Sequence, residues 1–115
     1  MAEKDILENN FKEYKEVAEY SFKNGKFNTA ATLYYKALVE LCDLELLKKL
    51  NRIGANHTER FELLKSVSPS LYNSASKLFR FYRDSYSKEI SPIIVEIFRK
   101  EVENAEKIIF TDKKN

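Results

Sequence analysis

Only four residues of this 115-residue chain break a helix strongly, and their positions dictate what it can fold into. Gly25, Gly54, Pro69 and Pro92 divide it into five segments of helical length, with nothing of comparable strength between them. Two glycines and two prolines are far fewer than the roughly 12% that these residues contribute to an average soluble domain. A β-sandwich or barrel needs many more turns. No segment alternates apolar and polar residues in the manner of a strand, and no pattern repeats at 20 to 50 residues. The expectation is a single all-α domain over residues 1–110, an up-and-down bundle of four long helices and one short one. The tail from Thr111 to Asn115 is expected to fray.

Each segment has a helical period. Leu7, Phe11, Tyr14, Ala18 and Phe22 recur every three or four residues among charged neighbours, which predicts an amphipathic first helix. Asn24-Gly25 provides the left-handed residue that ends it. The next segment, about Asn28 to Leu50, is apolar on more than one face and reads as the central, most buried helix. Its cationic end at Lys48, Lys49 and Arg52 suits the helix dipole, and Gly54 is expected to stop it. Asn56 or Thr58 caps a short third helix carrying Phe61, Leu64 and Val67. After Ser68-Pro69, a fourth helix places Leu71, Ala75, Leu78 and Tyr82 on one stripe and Tyr72, Phe79 and Tyr86 on a neighbouring one. Ser91-Pro92 opens a fifth helix, whose inner face holds Ile94, Phe98, Val102, Ala105 and Ile109.

At 43% apolar and 33% charged residues the chain is a core-forming globular sequence. A domain of this length holds together without a metal or cross-links. No window reaches the roughly 18 apolar residues of a membrane span, and the polar segment Met1 to Asn10 lacks a signal-peptide core. The single cysteine, Cys42, cannot form an internal disulfide, in keeping with a reducing, cytoplasmic location. A net charge of +2 is too small to argue for nucleic acid by bulk electrostatics. Fifteen Phe and Tyr exceed what one small core readily covers, which predicts an exposed apolar patch and hence a homodimer.

Chemistry is sparse. His57 is the sole histidine, no Gly-x-Ser-x-Gly elbow occurs, and two isolated glycines cannot cradle a phosphate. One His and one Cys lack the paired spacing that zinc requires, so neither a metal nor a cofactor is expected. Cys42 lies among leucines and reads as inert core. The carboxylate pairs Glu101 with Glu103 and Asp43 with Glu45 sit two apart on helices and read as solvated faces. Two constellations remain. Lys77, Arg80, Tyr82, Arg83, Tyr86 and Lys88 interleave cations with phenols, and Arg80 and Arg83 stand one turn apart, so both guanidinium groups could reach one phosphate while a ring stacks on a base. The alternative is a solvated helix face whose tyrosines belong to the core or to a dimer seam. Arg52 and His57, with four residues between them, pair a fixed cation with a neutral-pH acid or base, as metal-independent ribonucleolytic cleavage would use. The alternative there is a dipole-complementing Arg and a His that helps to cap the third helix.

Several features recur in a familiar order: Asn24-Gly25-Lys26-Phe27, then Ala30-Ala31, then Leu33-Tyr34-Tyr35-Lys36-Ala37-Leu38, then His57 ahead of Phe61 to Leu64, and later Phe81-Tyr82-Arg83-Asp84-Ser85-Tyr86. Over about Val17 to Ile109 the chain resembles a HEPN domain (higher eukaryotes and prokaryotes nucleotide-binding). The resemblance implies a helical bundle, commonly a homodimer, associated with nucleotide or RNA, or with a nucleotidyltransferase partner in an antitoxin-like or scaffolding role. Active members carry an Arg, four to six residues and a His in the second half of the bundle. Here Arg83 takes the Arg position, but five, six and seven residues on stand Lys88, Glu89 and Ile90. The resemblance therefore implies the fold without the nuclease, and transfers only Arg83, as a ligand-contacting cation. Gly25, Phe27, Ala30, Tyr34 and Ala37 also match half of one tetratricopeptide motif. That match keeps a helical protein-interaction module as the rival reading, although no second copy follows.

Overall fold

The computed structural model describes residues 2–111, and among them the chain forms five helices and no strand. They are α1 (Glu3–Lys23), α2 (Phe27–Leu50), α3 (His57–Val67), α4 (Pro69–Asp84) and α5 (Pro92–Thr111), of 21, 24, 11, 16 and 20 residues. Four long helices and one short one are therefore present, as the spacing of breakers predicts. Thr111 closes α5 rather than opening a tail, and residues 112–115 lie outside the described residues.

The helix ends follow local chemistry. Gly25 adopts φ +73°, the left-handed turn between α1 and α2 that a side chain would resist. Asn56 caps α3 by accepting the Glu59 N–H at 2.9 Å, and Ser68 and Ser91 cap helices that begin with proline. One expected stop is corrected. α2 ends at Leu50 because Asn51 turns left-handed at φ 57°, so Gly54 is not its terminator. Gly54 is needed for another reason: a Cβ there would stand 2.8 Å from Arg60 Cβ and 3.0 Å from Arg60 Cα, so α3 could not approach.

α2 is the axle, packed against each of the other four helices. Phe11 meets Phe110, Lys15 bonds Glu106 at 2.7 Å and Glu19 pairs with Arg99, so α1 and α5 run antiparallel. Tyr35 stacks on Tyr82 while Thr32 bonds Ser85, so α2 and α4 are antiparallel as well. The four long helices thus alternate in direction, with α3 bracketing one corner. The Asn28 carboxamide fastens the α4–α5 loop to α2: it donates to the carbonyls of Ser85 and Lys88 and accepts the Ile90 N–H at 2.8 Å.

The core joins Tyr34, Tyr35, Leu38, Leu41, Cys42 and Leu46 of α2 to Leu64, Leu71, Leu78, Val95, Phe98 and Val102. Of the fifteen aromatic side chains only Tyr20 and Tyr86 are exposed. Five more are buried and the remaining eight partly so, and the exposed large apolar side chains also include Ile6, Val17 and Ile93. No described helix is long and apolar enough to cross a membrane.

Candidate functional site

α2 reads as oily on all sides, yet Asp43 and Glu45 are only 4% and 8% exposed. The expectation that this pair is a solvated face is therefore wrong: residues 41–46 of α2 are enclosed by the neighbouring helices, the two carboxylates with them, whereas Lys48 and Lys49 at its end are exposed. Asp43 meets Arg60 of α3 in a two-point pair, Nε to Oδ1 at 3.0 Å and Nη2 to Oδ2 at 3.1 Å. Arg60 Nη2 also donates to the Gly54 carbonyl at 3.3 Å, and Asp43 Oδ1 accepts the Gly54 N–H at 3.2 Å. Burial alone would lower the Arg60 pKa, but the hydrogen bonds and charge of Asp43 raise it. Two opposite charges, one loop glycine and two helices are locked in one knot.

His57, the first residue of α3, stands at the edge of this knot with Nδ1 3.4 Å from Arg60 Nη1. A guanidinium has donors only, so Nδ1 is assigned as the acceptor and the neutral ring carries its proton on Nε2. The ring sits among aromatics, with centroids 5.0 Å from Phe79, 5.9 Å from Tyr82 and 6.2 Å from Tyr35. Burial, then the charges of Arg60 and Lys36, depress its pKa below the usual imidazole range, against a smaller opposing pull from Asp43. Neutral His57 therefore offers a donor at Nε2, and its one lone pair for accepting a proton is occupied by Arg60. That arrangement suits binding better than general-base chemistry.

A cleft of about 300 Å³ opens beside it, lined by Tyr14 of α1, Lys36 and Glu40 of α2, Asn56, His57 and Tyr82 of α4 among others. The Glu40 carboxyl, which accepts from Asn10 at 3.0 Å, is raised by burial against that hydrogen bond. Tyr82 is 7% exposed, and its phenol bonds the Tyr86 phenol at 2.8 Å; burial, then this bond, pushes its pKa to about 12.

The structure divides the residues singled out in the sequence. Arg83 lies over the Phe79 ring at 5.5 Å, on the side of α4 that meets His57, with Tyr82 and Tyr86 beside it. Arg80, about 60° further round the helix, instead covers Phe81 at 5.1 Å. Lys77 is tied to Glu101 of α5 at 3.1 Å, and Glu101 also accepts from Ser74. The two arginines thus lean on different rings. Arg52 and His57 are not paired either: Arg52 bonds Glu59 at 2.9 Å, and the cation at His57 is Arg60. Lys36, Asp43 and Arg60 are the participants that sequence reasoning missed. The available signal was an acid inside a leucine-rich run, which demands a buried cation nearby. Cys42 is fully buried, and burial pushes its thiol up to about 12, as an inert core filler requires. Among the described residues no cluster of His, Cys, Asp and Glu could hold a metal ion.

Comparison of the chain with protein-family models, with curated proteins and with solved structures finds no match in any of the three.

Proposed function

We propose that the chain is a non-catalytic, HEPN-like binding module that receives a phosphate-bearing ligand, a nucleotide or a segment of RNA, at the His57 cleft. One observation carries the reading: Lys36, His57 and Asn56 line, with Tyr14 and Tyr82, one opening of about 300 Å³, and Arg83 stands outside that lining, over the Phe79 ring that packs on His57. The cations attract the phosphate, and the half-buried Tyr14 ring offers a face on which a base can stack, while Tyr35 and Tyr82 form the closed floor behind it. Glu40 at the same opening opposes anions, so affinity is expected to be modest and to fall with salt. The loss of Nδ1 as a free base supports a binding role over the ribonuclease reading of Arg52 and His57.

Titration of labelled single-stranded RNA and of ATP at low and moderate salt tests this. Lys36→Ala and Arg83→Ala should each weaken binding several-fold, while Arg80→Ala and Lys77→Ala leave it unchanged. Equal effects of all four, or none, would overturn the assignment of the cleft. The RNA recovered from the same titration should be intact. Cleavage in the presence of a chelator that disappears in His57→Ala would instead establish the ribonuclease. Self-association and a nucleotidyltransferase-type partner belong to the same reading through the resemblance. Light scattering at micromolar concentration should then report twice the 13.5 kDa monomer mass.

A further inference from the structure

The corner that holds α3 contains a contact whose sign depends on one proton. His57 occupies the first position of α3, where the helix dipole is positive, and its Nδ1 faces the guanidinium of a buried arginine. Arg60 is not free to withdraw. Four of its five N–H groups are engaged, two on Asp43, one on Gly54 and one on His57. A proton arriving at Nδ1 turns that nitrogen from acceptor to donor and sets imidazolium against guanidinium at hydrogen-bond distance. The side chain able to yield is His57, which is half-buried at the cleft.

The charges facing His57 do not rescue the protonated ring. From α2 come Lys36, which repels it, and Asp43 and Glu40, which attract it; Asp43 is already shared with Arg60 and the Gly54 N–H, and Glu40 is engaged with Asn10. From α3 come Arg60 and Glu59, the latter tied to Arg52 and to the Ala55 N–H. α4 contributes the phenols of Tyr82 and Tyr86, bonded to one another, and Arg83 beyond Phe79; α1 contributes the Tyr14 phenol, and Tyr35 of α2 gives its proton to the Ala75 carbonyl.

We infer that His57 is an acid-released latch on α3: neutral, it closes the first turn of the helix onto the Arg60–Asp43 knot; protonated, it swings out and lets that turn and the Gly54 loop open while the four long helices stay folded. α3 suits such a role because Arg60 and Leu64 are its only buried residues, whereas α5 has five. The sign follows from linkage. The closed state binds a proton less readily than the open one, so closure is complete above the ordinary imidazole value of 6.5 and is lost as pH falls below it. The opening equilibrium should rise by up to about tenfold per pH unit in the interval between the two values.

The test uses the whole chain. The His57 ring protons are followed by NMR from pH 8 to pH 4.5, and amide exchange, corrected for its intrinsic pH dependence, is measured at pH 7.5 and 5. The expected result is a midpoint below 6.5, with at least a several-fold loss of protection at Arg60 and Phe61 at pH 5 and none at Phe98 or Val102. His57→Gln, whose carbonyl can still accept from Arg60 but which does not titrate there, should keep that protection at both pH values. A midpoint at or above 6.5, protection that is independent of pH, or an equal loss in the Gln variant would each overturn the latch. None of these readouts involves a ligand, so the outcome is separate from that of the binding titration.

Discussion

α5 and α3 both lie against α2, but different physics holds them there. α5 presents Val95, Phe98, Val102, Ala105 and Ile109, an unbroken apolar stripe with no buried charge. Each large side chain on it contributes about 1.5 to 3 kcal/mol of burial, with no titrating group and no ion pair to be screened. α3 offers Leu64 and a charge, Arg60, whose attachment depends on one carboxylate, one glycine and one ring nitrogen. The first kind of attachment degrades gradually as atoms are removed. The second is close to neutral when intact and fails when one partner is lost, because what remains is an unpaired ion in a dry place.

The largest effects should come from the centre of each attachment. Phe98→Ala leaves a void under α5 and should cost about 3 to 5 kcal/mol of unfolding free energy. Asp43→Ala strands Arg60 and should cost about 3 to 5 kcal/mol as well. The two differ in how they are repaired. Replacing both charges, Asp43→Leu with Arg60→Met, should recover part of the loss, since the desolvation penalty leaves with the ions while the buried Gly54 N–H and carbonyl lose their side-chain partners. Urea unfolding of the two single variants and the double variant checks this. A double variant as unstable as Asp43→Ala alone would show that the pair is worth far more than a neutral exchange and that the contrast with α5 is mistaken.

A smaller effect is expected at Gly54. Its Cβ position is blocked by Arg60 Cα and Cβ, atoms that cannot rotate away, so Gly54→Ala must push α3 off its knot at about 1 to 3 kcal/mol. At Gly25, by contrast, nothing stands within 4 Å, and the obstacle to a side chain is the left-handed φ of +73°. Gly25→Asn, a residue that tolerates this region, should therefore lose well under the Gly25→Val variant, whereas at Gly54 every side chain should be costly in proportion to its bulk. A Gly54→Ala protein as stable as the parent would mean that α3 sits loosely enough to adjust.

These regions also differ in how openly the sequence announces them. The stripe of α5 was legible position by position from Phe98 to Ile109, because burial of a two-faced helix imprints a period of 3.6 on composition. The caps at Asn56, Ser68 and Ser91 were legible for a similar reason, being local chemistry within three residues. Gly54 was visible as a breaker but not in its actual part, since the clash it avoids is with a residue in the next helix. The cleft was the least legible. Asp43 and Arg60 are 17 residues apart, and their pairing exists only after α3 has folded back along α2. Arg80 and Arg83 look equivalent by spacing, and only the rings beside them, Phe81 on one side and Phe79 on the other, send them to different neighbours.

The smallest effect sharpens the comparison most. Lys77 and Glu101 stand 3.1 Å apart, the same separation as Arg60 Nη2 and Asp43 Oδ2, so by distance alone the two ion pairs are equals. They differ in surroundings: the Lys77 side chain is 59% exposed and that of Arg60 9%. When Lys77 is removed, Glu101 keeps the Ser74 hydroxyl at 2.6 Å and gains water, so neither charge is left stranded. Lys77→Ala should therefore change stability by no more than about 0.5 kcal/mol, and 0.5 M salt should shrink even that. Asp43→Ala should lose nearly the same amount at either salt concentration, because a dry pair is barely screened. Burial, not separation, then sets the energy of an ion pair in this bundle; a Lys77 variant as damaged as the Asp43 variant would show that α4 and α5 depend on charge as much as α3 does.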